Sequence, residues 1–171
     1  IIQTRVDDRV KTDNLAIYPY LFAVVYILYI GWYVLNVFTH SQYAAAYAAF
    51  KKLIVDSCKI FVSRPAMMRD RTVVTHPLLQ FTQTIDDQTN CYPSMHVSLV
   101  VLSYQILKDG HETDPLRLKA MRQSCLDICR STLQTKQHSV IDVIGGHEIA
   151  RQTYQAHFSG EFEELLEETL P

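Results

Sequence analysis

The sequence is short of glycine and proline, with only 5 and 6 of these residues among 171. Few of its segments alternate apolar and polar residues with period two, so a turn-rich β fold is disfavoured. We therefore predict an all-α protein, a bundle of about five to six helices. The length is sufficient for one domain with one continuous core.

The sequence also lacks an excess of basic charge, because it has 16 Lys and Arg residues against 18 Asp and Glu residues. Nothing therefore indicates a nucleic acid as a partner. The four cysteines form no Cys-x-x-Cys pair, and Cys125 and Cys129 stand four residues apart, as two core residues of one helix would. We predict no metal site, no cofactor and no disulfide framework. No signal-peptide pattern is recognised at the start of the sequence.

Charged residues are absent from residues 15–39. A membrane-spanning helix needs about 20 mostly apolar residues, so this run is long enough to span a bilayer. Tyr18, Tyr20, Trp32 and Tyr33 are expected at the two interfaces as an aromatic belt. The alternative is the buried helix of a soluble bundle. Length and lack of charge favour the span, and hence an integral membrane protein of uncertain topology.

The remaining chain divides into a polar lead-in, one helical domain and an acidic tail. We assign these parts to residues 1–14, 15–158 and 159–171. Beyond the apolar run, amphipathic patterns and end signals predict helices over residues 43–62, 93–108, 115–133 and 138–157. Residues 63–91 are predicted to be a long connection, and connections of this length are often functional. The tail is read as a short amphipathic helix or a frayed end.

Candidate chemistry is concentrated in three short segments. They are Ser63-Arg64-Pro65, Asn90-Cys91-Tyr92-Pro93-Ser94-Met95-His96, and the stretch from Ser131 to Gly146. In the third segment His138 and Asp142 stand four residues apart, on one face if the segment is helical. Asp142 could then accept a hydrogen bond from one ring nitrogen of His138 and leave the other as a nucleophile or base.

The three segments resemble the type-2 phosphatidic acid phosphatase superfamily, which also includes the vanadium haloperoxidases. That pattern is Lys-x6-Arg-Pro, then Pro-Ser-x-His, then Ser-Arg-x5-His-x3-Asp. The second part matches fully, the third at Ser131, His138 and Asp142, and the first at Arg64 and Pro65. The residues of the third part are most similar to those of the branch related to inositol phosphorylceramide synthases. The matched motifs cover residues 64–142.

The resemblance implies a phosphoryl transfer that uses no metal. His138 would attack phosphorus and form a phosphohistidine, Asp142 would orient His138, and His96 would protonate the leaving alkoxide and later activate water. Positioning and neutralisation of charge are the main demands of this chemistry. The expected phosphate ligands are Arg64, Ser94, Ser131 and Lys136.

Two positions depart from the pattern, because Ser57 and Thr132 stand where the family has basic residues. Lys59 is a poor substitute for the first, and Lys136 is preferred over Arg130 as the replacement for the second. Three functions therefore stay open. The favoured one is hydrolysis of a lipid phosphate monoester such as phosphatidic acid. The others are transfer of a phosphorylated headgroup to a lipid, and an inactive helical membrane or scaffold protein.

Overall fold

A computed structural model describes residues 5–66, 76–85, 91–110 and 114–170 of the chain. These residues contain seven α-helices and no strand, so the all-α prediction is confirmed. The helices are α1 Ile17–Val37, α2 His40–Ser63, α3 Pro77–Ile85, α4 Met95–Asp109, α5 Pro115–Gln134, α6 Val140–His157 and α7 Leu166–Thr169.

The first helix, α1, has 21 residues. At 1.5 Å per residue it is about 31 Å long, close to the thickness of the hydrocarbon core of a bilayer. The segment Asn14–Val37 has a mean hydropathy of 1.8, and one third of its apolar window is buried. The outward side exposes large apolar side chains, among them Leu21, Phe22, Val25, Leu28 and Leu35. Among the described residues, α1 is the one helix long and apolar enough to cross a membrane.

The aromatic residues of α1 divide between the two sides of the helix. Tyr18 and Trp32 are 56% and 57% exposed, whereas Tyr20 and Tyr33 are each only 4% exposed. Tyr20 and Tyr33 therefore face protein, whereas their predicted place in an interfacial belt stays a prediction. Their positions follow the helical repeat of the inward face, where they pack against protein.

The centre of the bundle is α4, which packs against α1, α2, α5 and α6. Its side chains from Val100 to Leu107 are all buried. The polar side chain of Gln105 is satisfied inside this core, because it donates to the carbonyl of Glu163 at 2.7 Å and accepts from the Glu163 N–H at 3.1 Å. A helix surrounded in this way buries side chains on every side, and most of those from Val100 to Leu107 are apolar.

The helix starts follow N-terminal caps more closely than apolar patterns. Ser94 caps α4, so that helix begins at Met95 and not at the predicted Pro93. Ser139 caps α6, which begins at Val140 and not at the predicted His138. In both cases the serine side chain accepts a backbone N–H of the first turn and stops the helix from extending backwards.

Two segments are more ordered than expected. Helix α3 lies within the predicted connection 63–91, and its Leu79 is fully buried. The acidic tail is docked, because Leu165 is buried and Arg122 of α5 binds both Glu163 and Glu168 at 2.6 Å. The tail is therefore a short helix held against α5.

Helix α6 packs closely against the start of α4 at Gly146. A Cβ atom there would lie 2.8 Å from the Ser94 carbonyl oxygen and 2.9 Å from the Val97 Cβ. A backbone oxygen cannot move aside as a flexible side chain can. The small residue at position 146 therefore brings the start of α4 against α6.

We predict that Gly146→Ala lowers the stability of the fold by about 1–3 kcal/mol, the usual range for overpacking. Gly31→Ala is the matched control, since a Cβ at this helical glycine meets no atom within 4 Å. It should leave stability unchanged or raise it by up to about 1 kcal/mol. Denaturant unfolding in detergent micelles measures both, and equal stability of the two variants would contradict the packing described.

Candidate functional site

The turn between α5 and α6 presents His138. Helix α5 ends in a Schellman motif, in which Gln137 N–H donates to the Thr132 carbonyl at 3.2 Å and Lys136 N–H to the Leu133 carbonyl at 3.1 Å. Lys136 has a φ of 57°, the left-handed conformation that such an ending requires. The N–H of His138 also donates to the Thr132 carbonyl, at 3.1 Å. The backbone of Thr132 thus helps to place His138.

Asp142 lies at the junction of the turn and α6. Its Oδ2 accepts the Ser139 N–H at 2.7 Å, and its own N–H donates to the Ser139 hydroxyl at 3.3 Å, which completes a capping box. The same Oδ2 lies 3.8 Å from Nδ1 of His138, and both side chains are almost wholly buried. This separation is an electrostatic contact and exceeds a hydrogen bond. Asp142 therefore faces Nδ1 of His138.

His96, in the first turn of α4, lies beside His138. Their ring centroids are 5.9 Å apart, with 60° between the ring planes. The preceding segment is tied to α6, because Ser94 N–H donates to the Asp142 carbonyl at 3.0 Å. The second and third sequence segments thus meet at one place.

The imidazole of His96 is held in its neutral form. Burial, and secondarily the neighbouring His138, lowers the pKa of His96 from 6.5 to about 4. The ring of Tyr20 covers it, with centroids 4.5 Å apart. A neutral imidazole at pH 7 can accept a proton, and it becomes a proton donor only when a nearby anion favours the charged form.

The first segment approaches the second through its backbone. The Ala66 carbonyl accepts the Cys91 N–H at 3.2 Å, close to the start of the Pro93-Ser94 segment. Arg64 is the C-terminal cap of α2, and its side chain is exposed. Within the described ranges it makes no contact with His96 or His138. Residues 67–75 and 86–90, which adjoin these segments, lie outside the described residues.

The other predicted phosphate ligands serve the fold. The Ser94 hydroxyl accepts the Val97 N–H at 3.4 Å, and the Ser131 hydroxyl donates to the Ile128 carbonyl at 2.6 Å. Both serines are buried. Their side chains cap or support helices, and the structure does not direct them at a common point beside the histidines.

Lys136 is bound to the lead-in. Its ammonium group donates to the carbonyl oxygens of Asp7 at 2.9 Å and Val10 at 2.7 Å. Burial lowers the pKa of Lys136, against the opposing influence of Asp7 and Asp8. The ammonium group of Lys136, which was predicted to bind phosphate, therefore binds backbone carbonyl oxygens in this conformation.

Among the described residues, Lys59 and Arg130 do not supply the two positive charges that the motif pattern leads one to expect. Ser57 is fully buried, and Lys59 is exposed and paired with Asp56 at 3.1 Å. Arg130 donates through Nε and Nη2 to the Glu168 carbonyl, at 2.9 and 2.8 Å. Neither basic side chain turns towards the two histidines.

Sequence reasoning missed Asp7 and Tyr20 as neighbours of the site. Asp7 is 3% exposed, and its Oδ1 accepts the Val140 N–H at 2.7 Å, so the lead-in is not wholly a surface segment. No pattern links an aspartate to a helix start 133 positions later. Tyr20 could have been recognised only by assigning the inward face of α1.

His147 also has partners that its sequence position did not indicate. Its Nε2 lies 3.4 Å from the Thr169 hydroxyl. The neighbouring Cys125, and secondarily His147, lower the pKa of the Cys129 thiol against the opposing effect of burial. Throughout the described part of the chain, no group of three or more His, Cys, Asp or Glu could hold a metal ion.

Comparisons with family models, curated proteins and solved structures give no match to this chain. The resemblance to the phosphatase superfamily therefore depends on the three motifs. Independently of that resemblance, His96, His138 and Asp142 lie close together in the structure.

We predict that His96 stays neutral down to a pH of about 4. Because its folded-state pKa is depressed, the unfolded chain binds more protons between pH 6.5 and 4. This residue should therefore reduce the stability of the fold as the pH falls through that window. Nuclear magnetic resonance titration of the imidazole measures the midpoint, and a midpoint near 6.5 would contradict the buried environment.

We also predict that Lys136→Met destabilises the fold by about 1.5–3 kcal/mol, the usual contribution of a hydrogen-bonded charge. The Asp7 and Val10 carbonyls would lose their donor. Lys51→Met, at an exposed position of α2, is the control and should change stability by less than about 0.5 kcal/mol. Equal unfolding midpoints for the two variants would show that the lead-in contact contributes nothing.

Proposed function

We propose that this protein transfers a phosphoryl group without a metal ion, through a phosphohistidine at His138. The favoured reaction is hydrolysis of a lipid phosphate monoester such as phosphatidic acid. One observation carries the proposal: the half-buried imidazole of His96 adjoins the buried imidazole of His138, and a carboxylate faces Nδ1 of His138.

The two nitrogens of His138 have different surroundings. The negative charge of Asp142 favours a proton on Nδ1, so Nε2 keeps its lone pair for attack. As the Nε2–phosphorus bond forms, the bond from phosphorus to the alkoxide breaks. The buried carboxylate then stabilises the positive charge that the imidazole gains.

His96 would handle the protons in both steps. The dianionic phosphate raises the tendency of His96 to bind a proton, and that proton passes to the departing alkoxide. The neutral imidazole next takes a proton from water as the water oxygen attacks phosphorus and the bond to Nε2 breaks. Phosphate leaves, and both histidines return to their starting forms.

Binding of substrate would require a rearrangement of the site. At 5.9 Å the two rings are too close for a phosphoryl group to lie between them. In the proposal one imidazole rotates about its side-chain bonds, and Arg64 supplies charge from the end of α2. Catalytic contacts commonly tighten only when the substrate is bound.

The apolar helix α1 supports a lipid as substrate. Tyr20 on its inward face contacts His96, while its outward face exposes leucine, valine and phenylalanine side chains. If α1 spans a bilayer, the histidine pair adjoins the membrane segment through Tyr20. An amphiphilic substrate could then keep its acyl chains in lipid while its phosphate reaches the site.

Specific observations favour the inactive alternative. Lys136 and Arg130 are bound to carbonyl oxygens, and Ser57 is a buried serine where the family carries lysine. If the charge of a phosphate is only weakly neutralised, the site would not catalyse the transfer. The protein would then be an inactive helical membrane or scaffold protein. The headgroup-transferase alternative uses the same histidines and differs in its acceptor, which is a lipid hydroxyl in place of water.

We predict that the protein in detergent micelles releases phosphate from phosphatidic acid in the presence of EDTA. His138→Ala should lower this rate by about 10³-fold or more, as loss of a nucleophile does. His40→Ala replaces an exposed histidine at the start of α2 and should keep the wild-type rate.

Each alternative gives a different result in the same assay. Activity that requires added metal, or equal rates for His138→Ala and His40→Ala, would contradict the proposed mechanism. When a phospholipid that carries a headgroup replaces phosphatidic acid, product formation only with an added lipid alcohol would identify the headgroup transferase. No turnover of either kind would favour the scaffold.

A further inference from the structure

We infer that Asp7 is a positioning residue for His138, and that the lead-in holds the turn which carries this histidine. The inference rests on the proposed function, since it assigns Asp7 a part in the same site. Asp7 touches neither substrate nor the reacting atoms. It would act through the backbone on both sides of His138.

Asp7 differs from its neighbours in its burial. Its residue is 3% exposed, whereas Arg5, Val6, Asp8 and Arg9 are exposed. Burial of a carboxylate in a surface segment is costly unless hydrogen bonds compensate it. The compensation includes the Val140 N–H at 2.7 Å, a free donor at the first position of α6.

The lead-in holds the turn at three points. Asp7 binds Val140 through its carboxylate and Lys136 through its carbonyl, and the Val10 carbonyl binds Lys136 as well. Asp13 N–H donates to the Gln134 carbonyl at 3.2 Å, at the end of α5. His138 therefore lies between two residues, each fixed to the same short segment.

These contacts of the lead-in stabilise the turn, which adopts a conformation that its sequence does not favour. Lys136 has a positive φ, which a residue other than glycine, asparagine or aspartate seldom adopts. A non-glycine residue there needs support from surrounding contacts. The Lys136 and Val140 contacts supply this support, and they limit the directions in which the His138 ring can point.

The contact could instead inhibit the enzyme by withholding Lys136 from phosphate. Lys136 is held by backbone carbonyls, so removal of the Asp7 carboxylate frees it only by detaching the lead-in from Val140. The two roles predict opposite effects of that detachment. A positioning residue makes phosphorylation of His138 slower when it is lost. An inhibitory contact makes phosphorylation faster.

The test compares Asp7→Ala, Asp7→Asn and Asp8→Ala in the full chain. Asp7→Ala removes the acceptor for Val140, Asp7→Asn keeps an acceptor oxygen without the charge, and Asp8→Ala changes the exposed neighbour. Two measurements are made: hydrogen exchange at the amides of residues 138–140, and the single-turnover rate of His138 phosphorylation by phosphatidic acid.

For Asp7→Ala we expect at least tenfold faster exchange at Val140. We also expect at least tenfold slower phosphorylation at saturating lipid, with unchanged half-saturation. Asp7→Asn should recover most of both properties, and Asp8→Ala should match the wild type. Unchanged exchange, faster phosphorylation, or faster exchange with an unchanged rate would each overturn the inference.

Failure of the proposed function gives a distinguishable result. If the wild-type protein forms no phosphohistidine, the ring nitrogen signals of His138 decide the positioning role by nuclear magnetic resonance. Signals that broaden or shift in Asp7→Ala, but not in Asp8→Ala, support it. Signals that stay unchanged in both variants overturn it.

Discussion

The candidate site depends on one carboxylate, that of Asp142. The group caps α6 through the Ser139 N–H and faces Nδ1 of His138 from 3.8 Å. The backbone carbonyl of Asp142 also accepts a hydrogen bond from the N–H of Ser94, two residues before His96. The start of α6, the start of α4 and the two histidines are therefore arranged around one buried residue. A change at Asp142 would disturb the helix start and the chemistry together.

Much of the fold could be predicted from the sequence, because helix patterns and capping residues are local signals. The scarcity of glycine and proline pointed to helices, and α2, α4 and α5 lie close to their predicted ranges. The start of α6 was misplaced because the prediction followed the apolar pattern. Ser139 and Asp142 form a capping box, which marks the true start of the helix. Helix α3 was missed because it is short.

The candidate site could be predicted in part. His96, His138 and Asp142 were expected together, and the structure brings them together. The destinations of Lys136 and of Asp7 were not predictable, because each depends on contacts between residues more than 120 positions apart. Sequence spacing describes which residues share a helix face, but not which distant segment folds back over that face. For the same reason the partners of His147 were not recognised.

The balance of charge around the histidines distinguishes an enzyme from an inactive relative of the fold. A phosphate dianion needs donors, and both Lys136, the expected cation, and Arg130, the less favoured alternative, are bound to carbonyl oxygens in this conformation. Arg64 is the cation assigned to phosphate in the proposed function. This arrangement fits a site that rearranges when the substrate binds. It fits a preformed site less well.

The most direct test of the central claim is detection of the covalent intermediate. Protein mixed with ³²P-labelled phosphatidic acid in EDTA would be quenched in alkali, digested and examined by mass spectrometry. The account predicts a base-stable, acid-labile phosphoryl group on His138. A phosphoryl group found on another residue, or turnover with no label on His138, would contradict it.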